Sequence, residues 1–190
     1  MIYLVRHGQT DWNAEMRLQG QKDIPLNDFG REQAARNGAR LVELIDEPSK
    51  FDFVASPLGR TRETMEIILA QFGRDKNSYR ADDGVIEITF GDWEGYTFNE
   101  LRVEQNDAVE ERLANKWSFI QPNGESYQIM CARVAIWLDT VTRDTVVVCH
   151  GGTIRALMVL LAKMPTKLAA ELTIPQDKIY QWDGERGRWL

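Results

Sequence analysis

Histidine and cysteine are scarce in this chain, with two of each among 190 residues. Two cysteines, Cys131 and Cys149, are too few for a secreted disulfide framework, and both lie in apolar contexts, which predicts buried thiols. No apolar run reaches the roughly 18 residues a membrane span needs, so no membrane partner is expected. The N-terminus meets Arg6 after five residues, too soon for the apolar core of a signal peptide, and the expected location is cytoplasmic. There is no glycine-rich loop closing on Lys-Ser or Lys-Thr, which argues against a P-loop nucleotide enzyme. Two histidines, two scattered cysteines and no tight Asp/His spacing do not make a hydrolytic metal centre, so neither metal nor cofactor is expected. Cations are also in the minority: 23 Lys and Arg against 29 Asp and Glu, a net charge of −6. That balance argues against a nucleic-acid partner, whose phosphate backbone demands surplus positive charge. It leaves room for a small phosphate ligand, for which two or three cations suffice.

What is present is an alternation of apolar runs with helical patterns, which predicts an α/β fold with a mostly parallel central sheet. The length predicts one domain over 1–190. Ile2–Val5 reads as a first strand. A helix is expected from Asn27, its N-cap, to Ile45, with Ala34, Ala35, Ala39, Leu41, Val42 and Ile45 facing inward. Phe53–Ser56 reads as a second strand and is followed by a helix carrying Met65, Ile68, Leu69 and Phe72. Val85–Ile88 reads as a weaker third strand before a turn at 91–95. Thr97 to about Trp117 is helical and strongly acidic; Glu125 to about Val141 is a helix with Ile129, Ala132, Ala135, Ile136 and Leu138 inward. The strongest strand is Thr145–Cys149, leading into a helix that Thr153 is expected to cap; Ile179–Trp182 closes the series, turning at Asp183-Gly184.

The two histidines occupy matching positions. His7 follows Ile-Tyr-Leu-Val-Arg, His150 follows Thr-Val-Val-Val-Cys, and each is followed by glycine. In open α/β sheets ligands bind beyond the carboxyl ends of the strands, so two such imidazoles would converge on one cleft. Gly8, Gly151 and Gly152 let backbone come close to a ligand. The helix N-terminus after His150 offers free N–H donors and a partial positive charge. Arg6 and Arg60 supply guanidiniums suited to bidentate phosphate recognition. Four converging cationic or imidazole groups predict a phosphate site in an otherwise acidic protein. Neighbouring cations also predict a neutral His7 at pH 7.

The run Arg6-His7-Gly8-Gln9-Thr10-Asp11-Trp12-Asn13 resembles the signature of the histidine phosphatase superfamily, the phosphoglycerate-mutase-like proteins. Further stretches agree in order and spacing: Leu18-Gln19-Gly20 through Leu26, Ser56 to Arg60, Glu87 to Gly95, Pro122 to Ser126, and Cys149 to Thr153. The resemblance implies a three-layer α/β/α fold and a phosphohistidine mechanism without metal. It makes His7 the nucleophile. Arg6, Arg60 and His150 would hold the equatorial phosphoryl oxygens, with Asn13 touching the same group. Glu87 would be the proton donor to the leaving oxygen, with Glu94 as the competing carboxylate. Gln19, Gly20 and Gly151 would line the substrate pocket, and a small helical insertion at about 96–121 would lie over the site.

The same family holds phosphatases and mutases, and four departures from the mutase pattern favour hydrolysis. Arg102, Arg112 and Lys116 stand singly where mutases carry paired arginines, and Ile88 and Phe90 replace an Arg and a Tyr. Gly-Gly-Thr follows Cys149-His150 where mutases have Gly-Asn-Ser, and the chain is short. The expected function is hydrolysis of a small phosphate monoester. Mutase-type phosphoryl transfer and a non-catalytic phospho-ligand-binding protein are the alternatives. Trp12, Phe90, Trp93, Trp117 and Phe119 are candidates for an apolar pocket wall, or else ordinary core. Nothing in the sequence sets an oligomeric state.

Overall fold

The computed structural model describes all residues, 1–190. It contains a six-stranded sheet in the order β3-β2-β4-β1-β5-β6. The strands are β1 (Ile2–Arg6), β2 (Asp52–Ala55), β3 (Arg80–Ala81), β4 (Thr145–Cys149), β5 (Ile179–Trp182) and β6 (Gly187–Trp189). The first four in space pair in parallel, while β5 and β6 add antiparallel at one edge. The helices are α1 (Asp11–Ala14), α2 (Asp28–Leu44), α3 (Gly59–Gln71), α4 (Phe98–Ala114), α5 (Tyr127–Leu138), α6 (Gly151–Ala162) and α7 (Thr166–Glu171).

Alternation along the strands builds two cores. Tyr3, Val5, Phe53, Ala55, Val146 and Val148 point to one face, where they meet Leu41 of α2 and Met65, Ile68 and Leu69 of α3. Leu4, Val54, Val147 and Cys149 point to the other, against Met130, Val134 and Trp137 of α5 and Ile154, Leu157 and Met158 of α6. The result is the α/β/α arrangement expected, with a mixed, mostly parallel sheet. All five residues of β4 are buried, which is why that strand reads as an unbroken apolar run.

Several local expectations are corrected. Val85–Ile88 forms no strand: the sheet edge is taken by Arg80 and Ala81, and Val85 closes a 3-10 turn that begins at Asp83. Side chains satisfy the backbone of this segment instead. Thr153 Oγ1 donates to the carbonyls of Val85 and Ile86, Arg133 to that of Ile86 and Gln21 to that of Glu87. Thr153 is therefore not the cap of α6; the N-cap is His150, without a side-chain bond. The buried face of α5 is Tyr127, Met130, Val134 and Trp137, while Ile129 and Ile136 face outward. The helix is apolar nearly all round, so two stripes satisfy the same period and only packing selects between them. On α2, Ala34 and Leu41 are buried and Val42 is exposed. Cys131 is half-buried rather than buried. The short elements α1, α7 and β6 are too brief for a periodicity signal.

Candidate active site

Register places the histidines. In the β1–β4 ladder Arg6 lies opposite Cys149, so the next residue of each strand leaves the sheet at the same level. His7 N–H donates to the Cys149 carbonyl at 3.0 Å, and the two imidazole rings stand 5.2 Å apart, edge to face. On the other flank of β4, β2 ends at Ala55 and Ser56 N–H donates to Val148. Its side chain meets His150: Ser56 Oγ lies 2.7 Å from His150 Nε2. Arg60 then projects from the first turn of α3 and is 1% exposed.

The tautomer of His7 follows from its partners. Nδ1 lies 2.7 Å from the Gly8 carbonyl, which can only accept, so Nδ1 carries the proton. Nε2 is then a free lone pair, and Arg60 Nε donates to it at 3.3 Å. Burial first, then Arg60 and Arg6, hold His7 well below the ordinary histidine range, and it is neutral at pH 7. His150 is lowered in the same way, by burial and then by Arg60, His7 and Arg6. Burial also brings both Arg6 and Arg60 down to about 10, which leaves them charged at neutral pH. Backbone carbonyls hold both guanidiniums: Arg6 Nη1 donates to Ile174, Arg60 Nη1 and Nη2 to Lys22 and Gly20. Arg6 Nε and His150 Nδ1 are buried with no protein partner.

A cavity of about 160 Å³ opens onto these groups. Of the residues singled out from sequence, Arg6, His7, Asn13, Gln19, Gly20, Arg60, Glu87 and Gly151 line it; His150 is fully buried and is not in the lining, its ring 5.2 Å from that of His7. The side-chain amides of Asn13 and Gln19 lie 3.2 Å apart. In the amide orientation that satisfies both its atoms, the Gln19 carbonyl accepts from Arg60. Glu87 is held by two backbone donors at 3.0 Å, Ile88 N–H on Oε1 and Gly152 N–H on Oε2. The competing carboxylate, Glu94, lies outside the lining. Its Oε1 accepts from Gln21 N–H, Phe90 N–H and Thr89 Oγ1, which makes it the staple of the turn. No three of the His, Cys, Asp and Glu side chains come together as a metal donor set.

Two glycines do something other than admit a ligand. A Cβ on Gly8 would overlap the Gly30 carbonyl, so this glycine lets the β1 loop lie against the start of α2. A Cβ on Gly152 would overlap Glu87 Oε1. Of the aromatics singled out from sequence, only Phe90 reaches the cavity; Trp93 is fully buried and stacks on Phe119, while Trp117 stacks on Tyr127. Sequence reasoning missed Arg17, Leu18, Tyr127 and Arg155, all of which line the cavity. Arg155 was within reach of a helical reading, because it lies four residues, about one turn, beyond Gly151. Tyr127 gave no such signal.

Residues 2–190 match the histidine phosphatase superfamily, branch 1, and the chain belongs to that family, whose members act on phosphorylated small molecules. Among particular relatives, it is 32% identical over its whole length to "Probable phosphoglycerate mutase GpmB" of Shigella boydii serotype 18, covering 87% of that protein. A mycobacterial glucosyl-3-phosphoglycerate phosphatase, solved in complex with VO3, is 29% identical and superposes with a TM-score of 0.77 over 99% of this chain and 96% of that one. An Escherichia coli K-12 structure described as a candidate alpha-ribazole-5'-P phosphatase shares the fold at TM-score 0.80 and 24% identity, over 100% of this chain and 93% of that one.

Proposed function

We propose that the protein is a metal-independent phosphomonoester hydrolase working through a phosphohistidine on His7. The observation that carries this reading is the fixed tautomer of His7: Nδ1–H is tied to the Gly8 carbonyl, leaving an unprotonated Nε2 beside Arg60. The Nε2 lone pair attacks phosphorus and the bond from phosphorus to the leaving oxygen breaks. Glu87, protonated at the start of the step, gives its proton to that oxygen. Arg6, Arg60 and His150 meet the three equatorial oxygens, with Arg6 Nε and His150 Nδ1 the groups that have no protein partner. Asn13 touches the same phosphoryl group, and Gln19, Gly20 and Gly151 line the substrate side. Water then attacks phosphorus with Glu87 now taking its proton, the bond from phosphorus to Nε2 breaks, the electron pair returns to His7, and inorganic phosphate leaves. On this reading the chain is one domain, and segment 96–121 is a helical insertion over the site.

The mutase reading is favoured by the similarity to a protein named as a mutase. Against it stand the unpaired arginines of 96–121, Ile88 and Phe90 in place of Arg and Tyr, and the likeness to a phosphatase of similar identity. Two assays test the choice. With phenyl phosphate and a chelator, the wild type should release phosphate and His7→Ala should not; activity of that variant, or loss of wild-type activity to chelator alone, overturns the mechanism. With 3-phosphoglycerate and a trace of the bisphosphate primer, slow phosphate release is expected. Rapid formation of 2-phosphoglycerate instead would establish the mutase.

A further inference from the structure

The charge around the cavity exceeds what one phosphoryl group needs. Its wall carries four arginines and a single carboxylate, Glu87. Arg6 and Arg60 lie against His7, and Arg17 is neutralised by Glu15 at 2.6 Å and Glu100 at 2.8 Å. Arg155 is left over. It makes no ion pair, donating to the Leu172 carbonyl through Nε and Nη2 and, at 3.4 Å, to the Tyr127 hydroxyl through Nη1. That Nη1 is turned toward Arg6: a Cβ on Gly151 would lie 3.3 Å from it and 3.6 Å from Arg6 Nε. Tyr127 in turn borders Glu87, since a Cβ on Gly152 would touch both side chains. Arg155 and Tyr127 therefore stand on the Glu87 side, where the leaving group departs.

Behind this wall is a second unpaired guanidinium. Arg112 of α4 is 2% exposed, forms no ion pair, and its Nη1 is buried without a partner. Its guanidinium carbon lies 5.8 Å from the ring centre of Phe90, a cavity residue, and 5.2 Å from that of Phe98. Lys116, the next cation on this side, is met only by Glu171 at 3.6 Å. Burying guanidiniums without counter-ions is costly, and a ligand anion offsets that cost only when it is bound.

We propose that Arg155 and the Tyr127 hydroxyl, backed by Arg112 and Lys116, form a second anion site for a carboxylate or phosphate on the leaving group. The substrate class is then a phosphate monoester whose alcohol part is itself anionic. This rests on the hydrolase reading above for its assignment to a leaving group, while the site is testable by binding alone. The probes are propylphosphonate, 3-phosphonopropionate and propane-1,3-bisphosphonate, titrated calorimetrically into the full chain. At least one of the two probes with an anionic group at each end should bind about tenfold or more tightly than propylphosphonate, the margin a charge-assisted hydrogen bond gives. Whether carboxylate or phosphonate gives the larger gain identifies the anion. Arg155→Met should bring that ratio to about one and Arg155→Lys should keep part of it; Tyr127→Phe, which keeps the ring, should lower it if Arg155→Met fails to fold. Equal binding of all three probes by the wild type, or a ratio unchanged in these variants, overturns the site. Failure of the hydrolase reading looks different: phenyl phosphate is not cleaved while the preference among phosphonates persists.

Discussion

At the scale of single residues, the site depends on which ring nitrogen of His7 carries the proton and on where the Glu87 carboxylate is held. The Gly8 carbonyl decides the first and the Gly152 N–H helps decide the second. Gly152 has a double role, since it donates to one oxygen of Glu87 and has no side chain to collide with the other. Gly152→Ala retains the donor and introduces the collision. It should lower kcat by about a hundredfold, within the range a general acid contributes, with a much smaller change in KM. Steady-state kinetics on phenyl phosphate, beside a circular dichroism spectrum to establish folding, check this. An unchanged kcat would mean that the carboxylate is not needed where Gly152 holds it. The same geometry separates Glu87, the expected proton donor, from Glu94, the competing carboxylate. Glu94 spends one oxygen on three donors, Thr89 and Phe90 of its own turn and Gln21 from the segment after α1, whereas Glu87 faces the cavity.

At the scale of elements, the segment after α7 ties the site together from an unexpected quarter. The Leu172 carbonyl accepts from Arg155, the Ile174 carbonyl from Arg6, and Gln176 Nε2 donates to both the His7 carbonyl and Asn13 Oδ1 at 3.0 Å. Asn37 of α2 holds Gln176 in turn through its carbonyl. Gln176→Leu should reduce kcat/KM about tenfold and cost about 1 kcal/mol of stability, the worth of a hydrogen bond or two. Parallel kinetics and urea denaturation read the two effects, and a loss of stability without loss of kcat/KM would assign Gln176 to the fold alone. Nothing in residues 172–176 hints at this. The segment has no periodicity or motif, and its work is done mainly by carbonyls, which are the same in every residue. The acid-bearing segment is a related case. Val85–Ile88 has strand composition, yet its carbonyls are taken by Thr153, Arg133 and Gln21 from three distant parts of the chain.

At the scale of the whole molecule, burying both histidines in neutral form couples stability to pH. An unfolded chain's histidine titrates near 6.5, and both folded values lie well below that. Below pH 6.5 the unfolded state therefore binds more protons than the folded one, and stability falls as pH falls through that window. The slope is at most about 1.4 kcal/mol per pH unit for each histidine. Urea midpoints between pH 7.5 and 5 should decline below about 6.5, and His7→Asn and His150→Asn should each flatten the decline. A flat wild-type profile across that range would contradict neutral burial.

Sequence alone determined the pieces whose information is local. The strand runs, the pairing of each histidine with a glycine at a strand end, and the ordered motifs led to the α/β/α fold and to the meeting of His7, His150, Arg6 and Arg60 at one place. Tertiary structure decided whatever depends on which surfaces meet. It chose the Tyr127–Trp137 stripe of α5 over the Ile129–Ile136 stripe, because an all-apolar helix satisfies both and only contact with α6 and the sheet distinguishes them. It also set Arg155 and Tyr127 beside the site and Arg112 behind it. An unpaired buried charge is defined by the absence of neighbours, and one dimension cannot record an absence in three.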